Sequence, residues 1–216
     1  MRALGLNDII FIVAAVRWTL LLSLAAFVGG TIGGVLVALA RTGTYTWLRV
    51  TASGFIKLFQ GTPLLMQLFL AFFVPGLFGW SVEPWAAAAM GLSLHASAFL
   101  GEIWRGAIEV VPRGQWEAAT TLGLRYGTTM RLIIAPQAVR IAIPPTIGFV
   151  VQLIKGTSLA SIIGFVELTR AGQVINNATF RPFTIFALIA LIYYVICRPL
   201  SAYSKRIEQK LLIAAR

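Results

Sequence analysis

A chain of 216 residues that is 58% hydrophobic and 12% charged, with a mean hydropathy of +0.85, is too apolar for a soluble domain. At roughly 20 apolar residues per helical crossing it has room for about five crossings and short loops, and none for a second, soluble domain. Its formal charge of +11 would suit nucleic acid on a soluble surface, but in a membrane protein the placement of charge matters more than its sum.

That placement is asymmetric. Arg41, Arg49 and Lys57 stand between the first two apolar stretches, Arg105, Arg113, Arg125, Arg131 and Arg140 around a central polar loop, and Arg198, Lys205, Arg206, Lys210 and Arg216 at the end. The opposite side holds only Arg2, Arg17, Arg170 and Arg181, while Lys155 falls inside an apolar stretch. The positive-inside rule therefore predicts an all-α polytopic membrane protein with the N-terminus outside and the central loop and C-terminus in the cytoplasm. Residues 1–216 read as a single transmembrane domain. Cys197, the only cysteine, excludes an intrachain disulfide. No glycine is followed by lysine, so the chain lacks the phosphate-cradling loop that binds ATP.

In chain order, the first residues, up to about 17, resemble a signal peptide without a cleavage site and read as a retained segment lying at the outer interface. The first crossing spans about 18–40. Its Gly29, Gly30, Gly33 and Gly34 form overlapping pairs four apart, suited to close helix approach either within the chain or to another copy. The second crossing, about 55–78, contains Gly61-Thr62-Pro63-Leu64-Leu65 and Gln67. Pro63 frees a backbone carbonyl, and Thr62 and Gln67 are placed to satisfy it or, on a sharper reading, to meet a transported solute.

The third crossing, about 85–108, carries Glu102, whose carboxylate must face a cavity or a cation. An ion pair with Arg105, one turn away, competes with a functional role. His95, the only histidine, reads as a hydrogen bond between helices rather than a ligand. In the central loop, about 113–136, Pro112 breaks the preceding helix, residues 115–121 form a short helix, and Gly123 permits a turn closed to other residues. Residues 128–134 resume helix up to Pro136.

The fourth crossing, about 141–165, is disturbed by Pro144-Pro145 and interrupted by Lys155-Gly156-Thr157-Ser158-Leu159. Lys155 needs an acidic partner, for which Glu102 and Glu167 are available. Thr157 and Ser158 suit a polar path, although bonding back to their own helix is the commoner use. Glu167-Leu168-Thr169-Arg170 and the stretch from Asn176-Asn177 to Pro182 form an outer loop. The last crossing spans about 183–203, and the basic tail from Lys205 reads as an amphipathic segment along the cytoplasmic surface.

Several of these segments, in order, carry a resemblance. Glu117-Ala118-Ala119, then Gly123, Ile133 and Pro136, resembles the cytoplasmic loop by which permease subunits of ABC importers dock on their ATPase. The Gly61 to Leu65 segment, the step from Ser97 through Glu102-Ile103 to Arg105-Gly106, the Lys155 to Leu159 segment and Glu167-Leu168-Thr169 are similar to segments of the polar amino-acid (His/Glu/Gln/Arg/opine) branch of that family. The departures are Gln60 for a common arginine, Ala135 for leucine, and Gly156 for the aspartate beside the lysine.

The resemblance implies a membrane subunit of an ATP-powered importer of polar amino acids in the bacterial plasma (inner) membrane. Glu117, Ala118, Ala119, Gly123 and Pro136 would couple to the ATPase. On their own chemistry, as polar or charged groups within apolar stretches, Thr62, Gln67, Glu102, Lys155, Thr157 and Ser158 are the candidates for the substrate path, and Glu102 and Lys155 suit a zwitterion's two charges. It implies no catalysis, metal or cofactor of the chain's own, ATP being bound by a partner. The implied partners are an ATP-binding cassette subunit, a second permease subunit (homodimer or heterodimer), an extracytoplasmic solute-binding protein and membrane lipid, with no nucleic acid. Alternatives are an importer subunit for a quaternary amine or opine, and a channel or ion-coupled carrier, although many carriers show a paired inverted repeat, which is not evident here.

Overall fold

A computed structural model describes residues 4–214, which are helical throughout apart from short connections; Arg2 and Arg216, both counted in the charge asymmetry, lie outside the described residues. The first helix, α1 (Leu6–Thr42), contains no proline, and its backbone start is closed by Asp8, whose carboxylate accepts from Gly5 N at 2.9 Å. The expected separate interfacial segment is thus the beginning of one unbroken helix. At 1.5 Å per residue its 37 residues run about 55 Å, well beyond the roughly 30 Å of hydrocarbon. One face of these first turns is covered by protein: Ile12 is fully buried and packs with Leu168, Ile175, Ile185 and Ile189, from α8 (Leu168–Thr179) and α9 (Pro182–Ala214).

The four glycines of α1 are used inside the chain. They lie against α4 (Pro84–Val110), where a Cβ on Gly30 would collide with that of Ala96 and one on Gly34 would lie 2.9 Å from Leu100 Cβ. Gly101 returns the fit, since its Cβ would come 2.7 Å from Val37 Cβ. Around this seam Leu22, Ala26, Leu68, Leu92, Leu100, Phe149 and Leu153 form the main core. Close backbone approach gives dispersion contacts that lipid does not supply, which is what binds helices in a solvent as apolar as they are.

The expected second crossing is divided into α2 (Thr46–Gly61) and α3 (Leu64–Leu77), which meet at 105°. Pro63 is the cause, because it lacks a donor and holds the residue before it out of the α region. Pro136 behaves differently from expectation. The chain resumes as α6 (Tyr126–Thr129) after α5 (Arg113–Thr121), passes through a π turn (Met130–Ile134) and continues into α7 (Ala135–Gly156) without stopping. In the π turn Ala135 N–H bonds to Met130 O, so Pro136 falls in the first turn of α7, where its missing donor costs little. Pro144 and Pro145 also remain inside α7, and Ser204 of α9 donates to Pro144 O at 2.8 Å.

Lys155-Gly156 does mark a change: residues Thr157–Ser161 tighten to a 3₁₀ turn, and Gly164, at φ +92°, ends the segment. In α9 the basic residues Lys205, Arg206 and Lys210 continue the crossing helix instead of turning along a surface. Four described helices are long and apolar enough to cross a membrane, and the bent α2–α3 pair makes up to a fifth.

Candidate coupling loop and polar path

The cytoplasm-facing loop of the sequence reading is a short helix seated on a small core of its own. Pro112 caps the start of α5, and Trp116 packs with Ala107, Val111, Met130, Ile134 and Ala138 from the end of α4 and the start of the next crossing. Ala119 faces inward, 1% exposed, whereas Glu117 and Ala118 face solvent. The helix closes when Gly123, at φ +70°, donates its N–H to Thr120 O at 2.9 Å and Leu124 N–H reaches Ala119 O at 3.0 Å. Leu122, 75% exposed at the C-cap, extends the outward ledge; the sequence signal for it was an apolar residue directly before the turn glycine.

The polar residues of the second crossing are arranged around the Pro63 break. Phe59 O is the carbonyl that an N–H at position 63 would have bonded. Gln67 Nε2 donates to it at 2.7 Å and to Thr62 O and Thr62 Oγ1 at 3.0 Å, while Thr62 Oγ1 donates to Leu58 O at 2.8 Å. Gln67 is buried, and its Oε1 accepts from His95 Nδ1 of α4 at 3.0 Å. The His95 ring lies against Phe99, at 4.5 Å between centroids. Thr62 and Gln67 therefore close the backbone of a broken helix, and His95 ties that break to α4. Gln67→Leu leaves Phe59 O and His95 Nδ1 unpaired; we expect a loss of about 2 kcal/mol in stability, read as a lower thermal midpoint in detergent, and an unchanged midpoint would refute the bracing role.

The structure separates Glu102 from Lys155. Glu102 is held by Arg105, whose Nε donates to it at 2.8 Å and whose guanidinium also pairs with Glu109. Counting along antiparallel helices at 1.5 Å per residue, Glu102 lies about 12 Å from the loop end of α4, and Lys155 about 30 Å from the loop end of α7. The two are not brought together. Nor does Glu167 serve Lys155. It is fully buried at the N-cap of α8, accepting from Thr169 N and Arg170 N at 2.9 Å and from Tyr193 Oη at 3.0 Å. Burial pushes its carboxyl above the ordinary carboxylate range, against the pull of these donors.

Lys155 instead lines a cavity of about 520 Å³ between α7 and α9 with Ser158, Tyr193, Tyr194, Cys197, Arg198 and Ser201. Among the described residues no acidic side chain pairs with Lys155 or Arg198. Ser158 Oγ donates back to Lys155 O and Thr157 Oγ1 to Ile154 O, both at 2.7 Å, and Thr157 is fully buried. A side chain at Gly156 would point elsewhere, 3.1 Å from Leu64 Cδ2.

Over residues 30–213 the chain matches the family described as binding-protein-dependent transport system inner membrane component. The chain belongs to that family. It is 37% identical over 96% of its length, and 92% of the other's, to a probable amino-acid ABC transporter permease protein of Bacillus subtilis. The L-cystine transport system permease protein of the same organism is 38% identical, with 91% of this chain and 84% of that one covered. The crystal structure of an amino acid ABC transporter with histidines superposes with a TM-score of 0.88 at 30% identity, covering 97% of this chain and 100% of that one.

For this binding-protein-dependent transport component, the residues singled out from sequence divide by location. Glu117, Ala118 and Gly123 share the exposed ledge with Leu122, whereas Ala119 is buried and Pro136 falls at the start of α7. Thr62, Gln67 and Thr157 are engaged in backbone hydrogen bonds, and Glu102 in an ion pair. Lys155 and Ser158 open on a cavity, joined there by Arg198, whose place in the sequence points only to membrane topology.

Proposed function

We propose that this chain is the membrane-spanning subunit of an ATP-powered importer of polar amino acids in a bacterial inner membrane. It forms one transmembrane domain over residues 1–216, with its N-terminus outside and the loop at about 113–136 in the cytoplasm. That loop receives a separate ATP-binding subunit, a second permease subunit completes the path, and an extracytoplasmic solute-binding protein delivers the solute. ATP is bound and hydrolysed by the partner; this chain does no bond chemistry and holds no metal. Its two conformations alternate access, and the ATPase biases which is populated.

The observation that carries this reading is the ledge of α5: a rigid helix on its own small core, with Glu117, Ala118 and Leu122 exposed and Gly123 fixing the exit. Names of the relatives, amino-acid and L-cystine permeases, support the solute class. The cavity refines it. Lys155 and Arg198 line one cavity and pair with no acidic side chain among the described residues, and the carboxylate of an amino acid supplies the anion that two such cations lack.

The test is uptake of labelled amino acids into proteoliposomes holding the full complex. Accumulation requires ATP, and the amine left after removing the carboxyl group does not compete. Lys155→Met and Arg198→Met each lower uptake about tenfold, as expected for a lost charge-assisted contact. Uptake that proceeds without ATP overturns the importer, and competition by the amine overturns the carboxylate site.

A further inference from the structure

Tyr126, just beyond the Gly123 turn, makes a bond that the local fold does not require. Its hydroxyl donates to Thr42 O, at the end of α1, at 3.1 Å and across 84 residues of chain. The last carbonyls of a helix have no partner within it, so this acceptor is available by construction. The Tyr126 ring stacks on Trp116 of α5, with centroids 5.9 Å apart and planes at 24°. Trp116 in turn packs into the small core under α5.

Two routes therefore lead from the ledge into the membrane. One is covalent, through the ends of α4 and α7. The other runs from α5 through Trp116 and Tyr126 to α1, which is not joined to the loop in sequence. Since α1 is locked to α4 by a seam in which Gly30 and Gly34 admit no Cβ without displacement, pushing α4 alone would shear that seam unless the end of α1 moved with it.

We infer that Trp116 and Tyr126 form a strut that carries displacement of α5 to the end of α1, so that α1 and α4 move as one body. Tyr126 is thereby a positioning residue for transport; the inference rests on the reading of α5 as the ATPase dock. An aromatic ring suits the task because it is stiff, with few rotatable bonds, and its hydroxyl fixes direction as well as distance. Without the hydroxyl, part of the displacement is absorbed at the Gly123 turn and at Gly43, which follows α1.

The experiment measures solute transported per ATP hydrolysed in the full complex, for the natural chain, Tyr126→Phe and Trp116→Leu, alongside ATPase retention and thermal stability of each. Tyr126→Phe keeps the ring and removes only the donor. The expected result is a fall of about fivefold in the transport ratio, the scale of one hydrogen bond, with ATPase retention and stability unchanged. The double variant falls no further than the larger single effect, because both residues serve one element. An unchanged ratio in Tyr126→Phe with the ATPase retained overturns the inference alone. A loss confined to thermal stability gives the pair a structural role and overturns it too. Failure of the natural chain to retain the ATPase overturns the docking reading and the inference with it.

Discussion

Uptake falls at least tenfold when Glu117 is replaced by arginine or Gly123 by valine, while the chain still inserts in the membrane. The two substitutions act differently on one ledge. Glu117 is exposed and its carboxylate has no described ion pair, so charge reversal leaves the fold alone and acts at the surface where a partner docks. A like-charge contact at an interface costs several kcal/mol, more than the tenfold effect requires. Gly123 has no atom within 4 Å of a built Cβ, so a Cβ itself meets no clash; what a β-branched residue cannot adopt cheaply is φ +70°. Strain of about 1–3 kcal/mol is relieved by re-aiming the chain after α5, which moves the ledge. Co-purification of the ATPase, measured with uptake, decides the matter. Uptake indifferent to both changes and to ATP would favour a channel or an ion-coupled carrier.

The second large effect is expected at the α1–α4 seam. Gly30→Leu destabilises the protein by about 3 kcal/mol or more, the upper range for overpacking. A Cβ at Gly30 would overlap Ala96 Cβ and lie 3.3 Å from Ala96 Cα, so relief requires moving backbone rather than rotating a side chain. Gly148→Ala is the control: nothing lies within 4 Å of its Cβ, and thermal stability should stay within about 1 kcal/mol of the natural chain. Thermal unfolding in detergent compares them. Equal midpoints for the two variants would show that the seam separates easily, and with it would go the argument that α1 and α4 move together.

Where a property of the chain arises from a few adjacent residues, sequence alone was enough. Hydropathy located the crossings, because a helix in hydrocarbon must be apolar over its whole length. Pro63 announced a break and Thr62 and Gln67 its repair, because a missing donor leaves a carbonyl that nearby polar groups can reach. Gly123 announced its turn and the residues from Gln115 to Thr121 a short helix, both short-range features. Other properties depend on what distant residues bring, and these the tertiary structure decided. Whether the α1 glycines serve this chain or another was settled only when α4 was seen to occupy them. The first turns of α1 look interfacial until α8 and α9 bury Ile12. Pro136 looks terminal until a π turn shifts the hydrogen-bond register ahead of it. Glu102 and Lys155 look like one charge pair in a linear reading, but antiparallel helices place them at different depths, and it is Arg198, from α9, that joins Lys155 at the cavity. Local chemistry sets where the backbone bends or continues, whereas which side chains meet depends on the heights and rotations of packed helices, which no short stretch of sequence encodes.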